Sequence, residues 1–325
     1  MVGWGIVATG GIAEIVVSDM RLVDGVDVRA VSSRDTARAE SFAREHAIPS
    51  SYGDHHGVID DPSVDVVYVA TPHSGHFEVT RDALLAGKAV LCEKPLTVSL
   101  AAAEELVALA RKQGVFLMEA MWTRFNPLVR RLRRLVRDGA IGQIHSVHAD
   151  FGVQFPYDPE HRLWNLELGG GSLLDLGVYP VAFAQMLLGE PETVVANGTL
   201  RNGVDSEAGL LLKYENGVFA HLYSSLVTLK DVGATVVGTD GQLELPPFFY
   251  RPTDLILRRP GREPVIESLQ LEGNGYEFEI AEVTQRILAG DTESPEMPLD
   301  DTLAVMRILT EALRQVGVVY PATVR

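Results

Sequence analysis

The chain has 325 residues, 46% of them hydrophobic and 22% charged, so it is long enough for two folded domains and carries no signature of disorder. Its 28 basic and 44 acidic side chains leave a formal charge of −16, which argues against nucleic acid or an anionic membrane as the main partner. The single cysteine, Cys92, excludes an intrachain disulfide and fits a reducing, cytoplasmic compartment. No basic segment precedes the apolar residues 2–8, so no secretion signal is read there, and no apolar run approaches the length of a membrane span.

Residues 4–7 predict a short buried strand. Ala8-Thr9-Gly10-Gly11-Ile12-Ala13 follows, and 13–20 continue as a helix. Strand, glycine turn and helix are the setting of a dinucleotide fingerprint, in which bare backbone approaches a pyrophosphate and helix N–H groups point at it. Against the usual G-x-G-x-x-G/A order, Ala8 replaces the first glycine, so the turn must accept a Cβ.

The pattern then alternates. Strands are read at 26–31, 64–70, 89–92 and 115–118, and helices at 35–46, 75–86 and 99–113. Repeated units of this length predict a doubly wound parallel sheet with helices on both faces. Ligands sit at the carboxyl ends of such strands. Ala8-Thr9-Gly10, Ser32-Ser33-Arg34, Thr71-Pro72-His73 and Glu93-Lys94-Pro95 all fall there. At the second strand end, Ser33 and Arg34 suit a ribose 2′-phosphate and favour NADP, while Asp35 next door keeps NAD open. His73 and His76 are read as lining the cofactor or substrate pocket; with no cysteine or carboxylate to complete a site, no metal is expected. His55 and His56, in a polar stretch, read as surface residues.

From about residue 142 the period changes to alternating strands with hairpin signals at Asn216-Gly217, Asp240-Gly241 and Pro260-Gly261. Six or more mostly antiparallel strands are expected, with helices such as 172–188 on one face and the other face left open for a second subunit. Closing helices are read at 276–289 and 302–316, the last capped by Asp300 or Asp301. Arg130, Arg131, Arg133, Arg134 and Arg137 alternate with Val129, Leu132, Leu135 and Val136 as a solvated amphipathic helix. The division is 1–120 for nucleotide binding and 121–325 for substrate binding and dimerisation, with room for the C-terminal helix to return to the first domain.

Chemistry concentrates in two places. Lys94 ends an apolar run, and Asp175 and Tyr179 stand four apart after a glycine cluster, a spacing that puts both on one face of a helix. A lysine beside a tyrosine favours the tyrosinate, which can take the proton of an alcohol while a hydride leaves its carbon.

Four motifs carry a resemblance: Glu93-Lys94-Pro95, residues 118–125 (MEAMWTRF), Ala149-Asp150-Phe151-Gly152 and residues 169–180. Over nearly its whole length the chain resembles the Gfo/Idh/MocA oxidoreductases, and within them the branch of dimeric dihydrodiol dehydrogenases and NADP-dependent D-xylose dehydrogenases. Ala8 departs from that branch's glycine. The resemblance implies a Rossmann domain, then an α+β domain on an open, mostly antiparallel sheet through which homodimers form. It implies that Lys94 is the catalytic lysine, Asp175 the active-site aspartate and Tyr179 the acid/base. Trp122 and Arg124 then match pocket residues beside the nicotinamide, and Phe151, Phe155, Arg162 and Trp164 fall in the segment lining the substrate site. The expected reaction is NADP-dependent oxidation of an aldose such as D-xylose at C1 to its lactone, with a trans-dihydrodiol or cyclic polyol as the alternative substrate. A nucleotide-binding regulator without turnover is the reading from another class.

Overall fold

Strands 2–7, 66–69, 89–93 and 117–120 are buried at every position, the continuous apolar pattern required of strands covered on both faces. The computed structural model describes residues 1–325. The chain divides into two compact units, Met1–Trp122 with Glu272–Leu303 and Arg325, and Thr123–Leu271 with Ala304–Val324.

The first unit runs β1 (Val2–Val7), α1 (Gly11–Met20), β2 (Val26–Ser32), α2 (Thr36–Glu45), β3 (Ser50–Tyr52), α3 (His55–Asp60), β4 (Val66–Val69), α4 (His73–Leu85), β5 (Ala89–Glu93), α5 (Leu100–Gln113) and β6 (Leu117–Ala120). All six strands are parallel, in the order β3-β2-β1-β4-β5-β6. That order places a topological switch between β1 and β4, where their loops diverge to opposite faces and leave a crevice at the carboxyl edge. Trp4, Ile6, Tyr68 and Leu91 fill the interior. The helices end as their sequences direct. The Ser99 hydroxyl accepts the Ala102 amide to start α5, and Gly114 closes it in the left-handed conformation at φ +64°. The sequence reading had passed over β3 and α3. The first is three residues long, and the second is nucleated by the Asp54 carboxylate, which accepts the Gly57 amide at 3.1 Å.

The second unit follows a single turn of 3₁₀ helix, Trp122–Phe125, with α6 (Pro127–Arg137), β7 (Ile144–Gly152), α7 (Val178–Leu188), β8 (Thr193–Arg201), β9 (Val204–Lys213), β10 (Phe219–Ser225), β11 (Ala234–Gly238), β12 (Gln242–Leu245), β13 (Asp254–Arg258) and β14 (Val265–Ser268). Eight strands form one sheet, ordered β14-β13-β12-β11-β7-β10-β9-β8. Every pair is antiparallel except β7 with β10. Along β7, β9 and β10 the residues alternate: Val147, Leu210, Leu212, Ala220 and Leu222 are buried, and His148, Leu211, Lys213 and His221 are exposed. One face is thus packed, with α7 against β7 and β10 and α6 against β13, and the other is open. In α6, Leu128, Val129 and Leu132 are buried, while Arg131 reaches Glu267 at 3.0 Å.

Three expectations need correction. Residues 172–188 are not one α-helix, because Leu173–Gly177 form a π-helical turn before α7 begins. The run Leu166–Leu188 does reach the length and hydropathy of a membrane span, but 83% of it is buried inside the protein, so its apolarity is that of a core helix. Asp300 and Asp301 do not cap the last helix. It starts at Leu299, whose amide is taken by the Glu293 carboxylate at 2.9 Å, so both aspartates lie inside its first turn.

Two closing helices follow, α8 (Glu277–Ala289) and α9 (Leu299–Val316). The segment that leads into α8 is fastened to α1 within the first unit. Buried Asp19 accepts the Asn274 amide at 2.9 Å, the Asn274 side-chain amide at 2.9 Å and the Tyr276 amide at 3.0 Å. An Asp19→Ala protein leaves these donors orphaned in the interior. Its stability should fall by about 3 kcal/mol, read as a lower midpoint in urea.

Candidate active site

In the first unit, four loops occupy the carboxyl ends of β1, β2, β4 and β5. Ala8 follows β1 at φ +94°, a backbone region in which a Cβ is strained, so the alanine holds the conformation of the glycine it replaces. The turn has therefore absorbed the substitution at an energetic cost rather than by changing its path. Gly10 caps α1 without any side-chain hydrogen bond. A Cβ added to Gly10 or Gly11 would meet nothing within 4 Å, so bare backbone here borders open space. Uncapped first-turn amides, the positive end of the α1 dipole and a cleared approach are what a pyrophosphate needs. The residues present thus fit a dinucleotide.

At the end of β2, Ser33 is half-buried, and Arg34 and Arg38 are exposed. The Asp35 carboxylate turns back on its own helix, accepting the Ala37 amide at 3.0 Å and the Arg38 amide at 3.3 Å. The acidic group that kept NAD open is therefore engaged in capping α2. Arg38 was missed in the sequence, although its place four residues after Arg34 was a readable signal.

Thr71 and Pro72 lead from β4 into α4, which His73 begins. Buried His76 sits between two of the loops, with Nδ1 2.8 Å from the Pro95 carbonyl and Nε2 3.0 Å from the Thr71 carbonyl. It is a brace between the ends of β4 and β5. At β5, the Tyr68 hydroxyl donates to Glu93 Oε1 at 2.6 Å, and the Lys94 amide donates to Glu93 Oε2 at 3.2 Å. The Leu96 amide donates to buried Glu119 at 3.0 Å. The corner from Lys94 to Leu96 is thus fastened by two buried carboxylates, Glu93 at the Lys94 amide and Glu119 at the Leu96 amide. Trp122 lies flat on Tyr276, with ring centroids 4.0 Å apart and planes at 13°.

In the second unit, Asp175 lies in the π turn and Tyr179 in the first turn of α7, both buried. Asp175 Oδ1 receives Arg162 Nη1 at 2.8 Å; the arginine side chain keeps 46% exposure, so this ion pair borders solvent. The Tyr179 ring lies 5.4 Å from Phe151 and 5.6 Å from Tyr250. Phe151 and Tyr250 stack on each other at 4.7 Å and 10°. Burial raises the Tyr250 hydroxyl above its usual range, against the opposing effect of Arg251. Phe151, Tyr179 and Tyr250 are thus brought together as one aromatic group, and Arg162 is paired with Asp175, four residues before Tyr179 on the same segment.

Other expected residues have structural partners. Arg124 is buried and its guanidinium meets the Gln185 side chain of α7. Trp164 is fully buried, its indole donating to the Pro156 carbonyl at 2.9 Å. Phe155 is half-buried, and its amide donates to Leu226. Tyr250 went unnoticed in the sequence. The aromatic run Phe248-Phe249-Tyr250 was the available signal, but nothing local says which ring faces Tyr179.

A doubly wound parallel unit with a dinucleotide cradle, joined in one chain to a sheet unit bearing a tyrosine and a carboxylate, defines the class of nicotinamide-dependent oxidoreductases. Residues 2–121 match the model of the oxidoreductase family with an NAD-binding Rossmann fold, and residues 129–244 match the GFO/IDH/MocA C-terminal domain. The trans-1,2-dihydrobenzene-1,2-diol dehydrogenase of Xenopus tropicalis is 39% identical over 98% of this chain and 99% of its own, and that of Mus musculus is 38% identical over 98% of both. Among solved structures, the chain is similar to an aldose-aldose oxidoreductase from Caulobacter crescentus complexed with glycerol (28% identity, TM-score 0.88, 97% of each chain). It is also similar to a 3-ketoreductase from Actinomadura kijaniata in complex with NADP and TDP-benzene (26% identity, TM-score 0.88, 97% and 98% of the two chains). The chain belongs to the Gfo/Idh/MocA oxidoreductase family.

The strain at Ala8 has a measurable consequence. Ala8→Gly removes the Cβ from a backbone that only glycine adopts freely, and the protein should gain about 1 kcal/mol of stability, seen as a higher melting temperature.

Proposed function

We propose that the protein is an NADP-dependent dehydrogenase that oxidises a hydroxyl on a ring carrying a neighbouring hydroxyl, either a cyclic trans-diol or the C1 position of a cyclic aldose. The observation that carries this reading is the Phe151–Tyr250 stack beside Tyr179, whose helical segment also bears Asp175 paired with Arg162. A flat aromatic wall suits the face of a six-membered ring, and a carboxylate with a guanidinium suits adjacent hydroxyls. The diol stands first because relatives 38–39% identical over 98% of this chain are named trans-1,2-dihydrobenzene-1,2-diol dehydrogenases. D-xylose, expected from the sequence, becomes the second arm of the test.

The residues take these roles. The Gly10 and Gly11 backbone holds the pyrophosphate, and Arg34 with Arg38 holds the 2′-phosphate, a preference supported by the engagement of Asp35 in its own helix. NADP, when bound, supplies the acceptor for the hydride that leaves the substrate carbon. Tyr179 takes the hydroxyl proton as the carbonyl forms, so the C–H and O–H bonds break and a C=O bond is made. Lys94 takes the role the family resemblance gives it, a catalytic lysine whose ammonium favours the ionised form of the acid/base. Asp175, held by Arg162, orients the reacting hydroxyl.

The test is NADPH formation by purified protein with NADP or NAD and a panel of cyclic trans-diols, polyols and aldoses. Turnover with a ring diol or aldose, faster with NADP, is expected. Tyr179→Phe should lower kcat by about a hundredfold or more while NADP binding persists; full turnover by that variant would remove Tyr179 from the mechanism.

We further propose that the open sheet face pairs with a second copy of the chain. One row across it reads Val195, Leu211, His221, His148, Thr235, Glu244, Ile256, Ile266, with exposed apolar groups at both ends. Along β9 the charge runs from Lys213 to Glu207, and along β13 from Arg258 to Asp254. A two-fold axis across the strands lays the basic end of one copy over the acidic end of the other. Sedimentation should give twice the chain mass, and Leu211→Asp with Val195→Asp should give the single chain. A single-chain mass for the unaltered protein would refute the pairing.

A further inference from the structure

Behind the site in the second unit lies a buried polar group with no role in the chemistry above. Asp205 of β9 is 0% exposed. Its Oδ2 accepts the Ser172 hydroxyl at 2.7 Å and the Leu173 amide at 2.6 Å. Ser172 also meets Ser224 of β10 at 2.9 Å. Ser224 in turn lies against Gly177, where a Cβ would come within 3.0 Å of its hydroxyl. The π turn that carries Asp175 is therefore fastened at its start by Asp205 and abutted at its end by Ser224, from two adjacent strands. The segment before it is held as well, since the Tyr320 hydroxyl donates to the Gly170 carbonyl at 2.6 Å. Gly171, at φ +125°, has no room for a side chain because Asp205 Oδ1 occupies the place.

This fastening exceeds what a helix start requires, since a neutral Ser or Asn would satisfy one or two first-turn amides in its own loop. Here a carboxylate reaches across from another strand, with Oδ1 left without a hydrogen-bond partner. Burial raises the carboxyl to about 6 in spite of the hydrogen bonds to Ser172 and Leu173. The folded protein therefore binds this proton more tightly than the unfolded chain, and stability is lost as pH rises through that value. A buried group that costs stability yet grips the segment bearing the reactive residues points to placement rather than to folding.

We propose that Asp205 is a positioning residue: by gripping Ser172 and Leu173 it sets the path of the π turn and hence where Asp175 and Tyr179 point. It touches no substrate. The proposal rests on the reading that Asp175 and Tyr179 act on the substrate.

Asp205→Asn tests it. The amide keeps the shape, but its oxygen is a neutral acceptor, so the charge-assisted grip on the Ser172 hydroxyl and the Leu173 amide is weakened. The full-length variant is compared with the unaltered protein and with Tyr179→Phe, using a cyclic trans-diol or aldose from the panel, NADP binding followed by fluorescence, and thermal melting at mildly alkaline pH. The expected result is a kcat lowered by about ten- to a hundredfold with KM changed by less than about threefold, NADP affinity kept and the melting temperature not lowered. Ser172→Ala, which keeps the bond from Asp205 to the Leu173 amide, should fall between the two. Unchanged kcat in Asp205→Asn, with Tyr179→Phe inactive, overturns the positioning role and leaves the site reading standing. A loss of kcat accompanied by loss of melting temperature and NADP binding overturns it as well, because that is the mark of a general structural role. Full turnover by Tyr179→Phe refutes the site reading and this proposal together.

Discussion

Six parallel strands, four of them buried at every position, leave one edge at which polar groups can be displayed, and the first unit depends on that constraint. Within the sheet, β1 and β4 are each paired on both sides and are buried at every position. The loops at the carboxyl edge are where the backbone is released, and the β1/β4 switch opens a crevice between them. The strained Ala8, the uncapped start of α1, the braced His76 and the Glu93-Lys94 corner are all consequences of what happens at that edge. Interior carboxylates are the unusual part of this unit. Glu279 of α8 is fully buried with neither oxygen hydrogen-bonded, and burial together with Glu93 holds its carboxyl well above the usual range.

The second unit solves a different problem. Its sheet is covered on one side only, so its strands alternate, and the proposed site residues Asp175 and Tyr179 come from one helical segment laid on the covered face. That segment does not begin as an ordinary helix. Glycines at 169–171 and 177 allow a π turn, and buried polar residues of β9 and β10 hold it. The extra residue in the turn re-aims Asp175 relative to α7. The aromatic wall, by contrast, is assembled from β7, α7 and the loop before β13, which are far apart in sequence and adjacent only because of the sheet order.

Much of this was legible in the chain. The βα alternation, the hairpin glycines and the caps at Asp35, Ser99 and Gly114 are local signals, and the elements followed them to within a few residues. Lys94, Asp175 and Tyr179 stood out because each combines a reactive side chain with a turn or glycine signal close by. Trp164 and Arg124 also carry packing roles that no local pattern announces: Trp164 closes a hydrogen bond to the Pro156 carbonyl and Arg124 is buried against Gln185.

The sequence by itself determined the periods, the punctuation and the presence of a dinucleotide turn, because these depend on residues within a few positions of each other. Only the tertiary structure decided that Ala8 keeps a glycine's backbone, that Tyr250 stacks on Phe151 and that Asp205 grips the turn bearing Asp175. The physical reason is that strain, burial and long-range hydrogen bonding are set by neighbours in space. Asp205 and Ser172 are 33 residues apart along the chain, but β9 and the π turn are packed together, and no local pattern in either segment records the other.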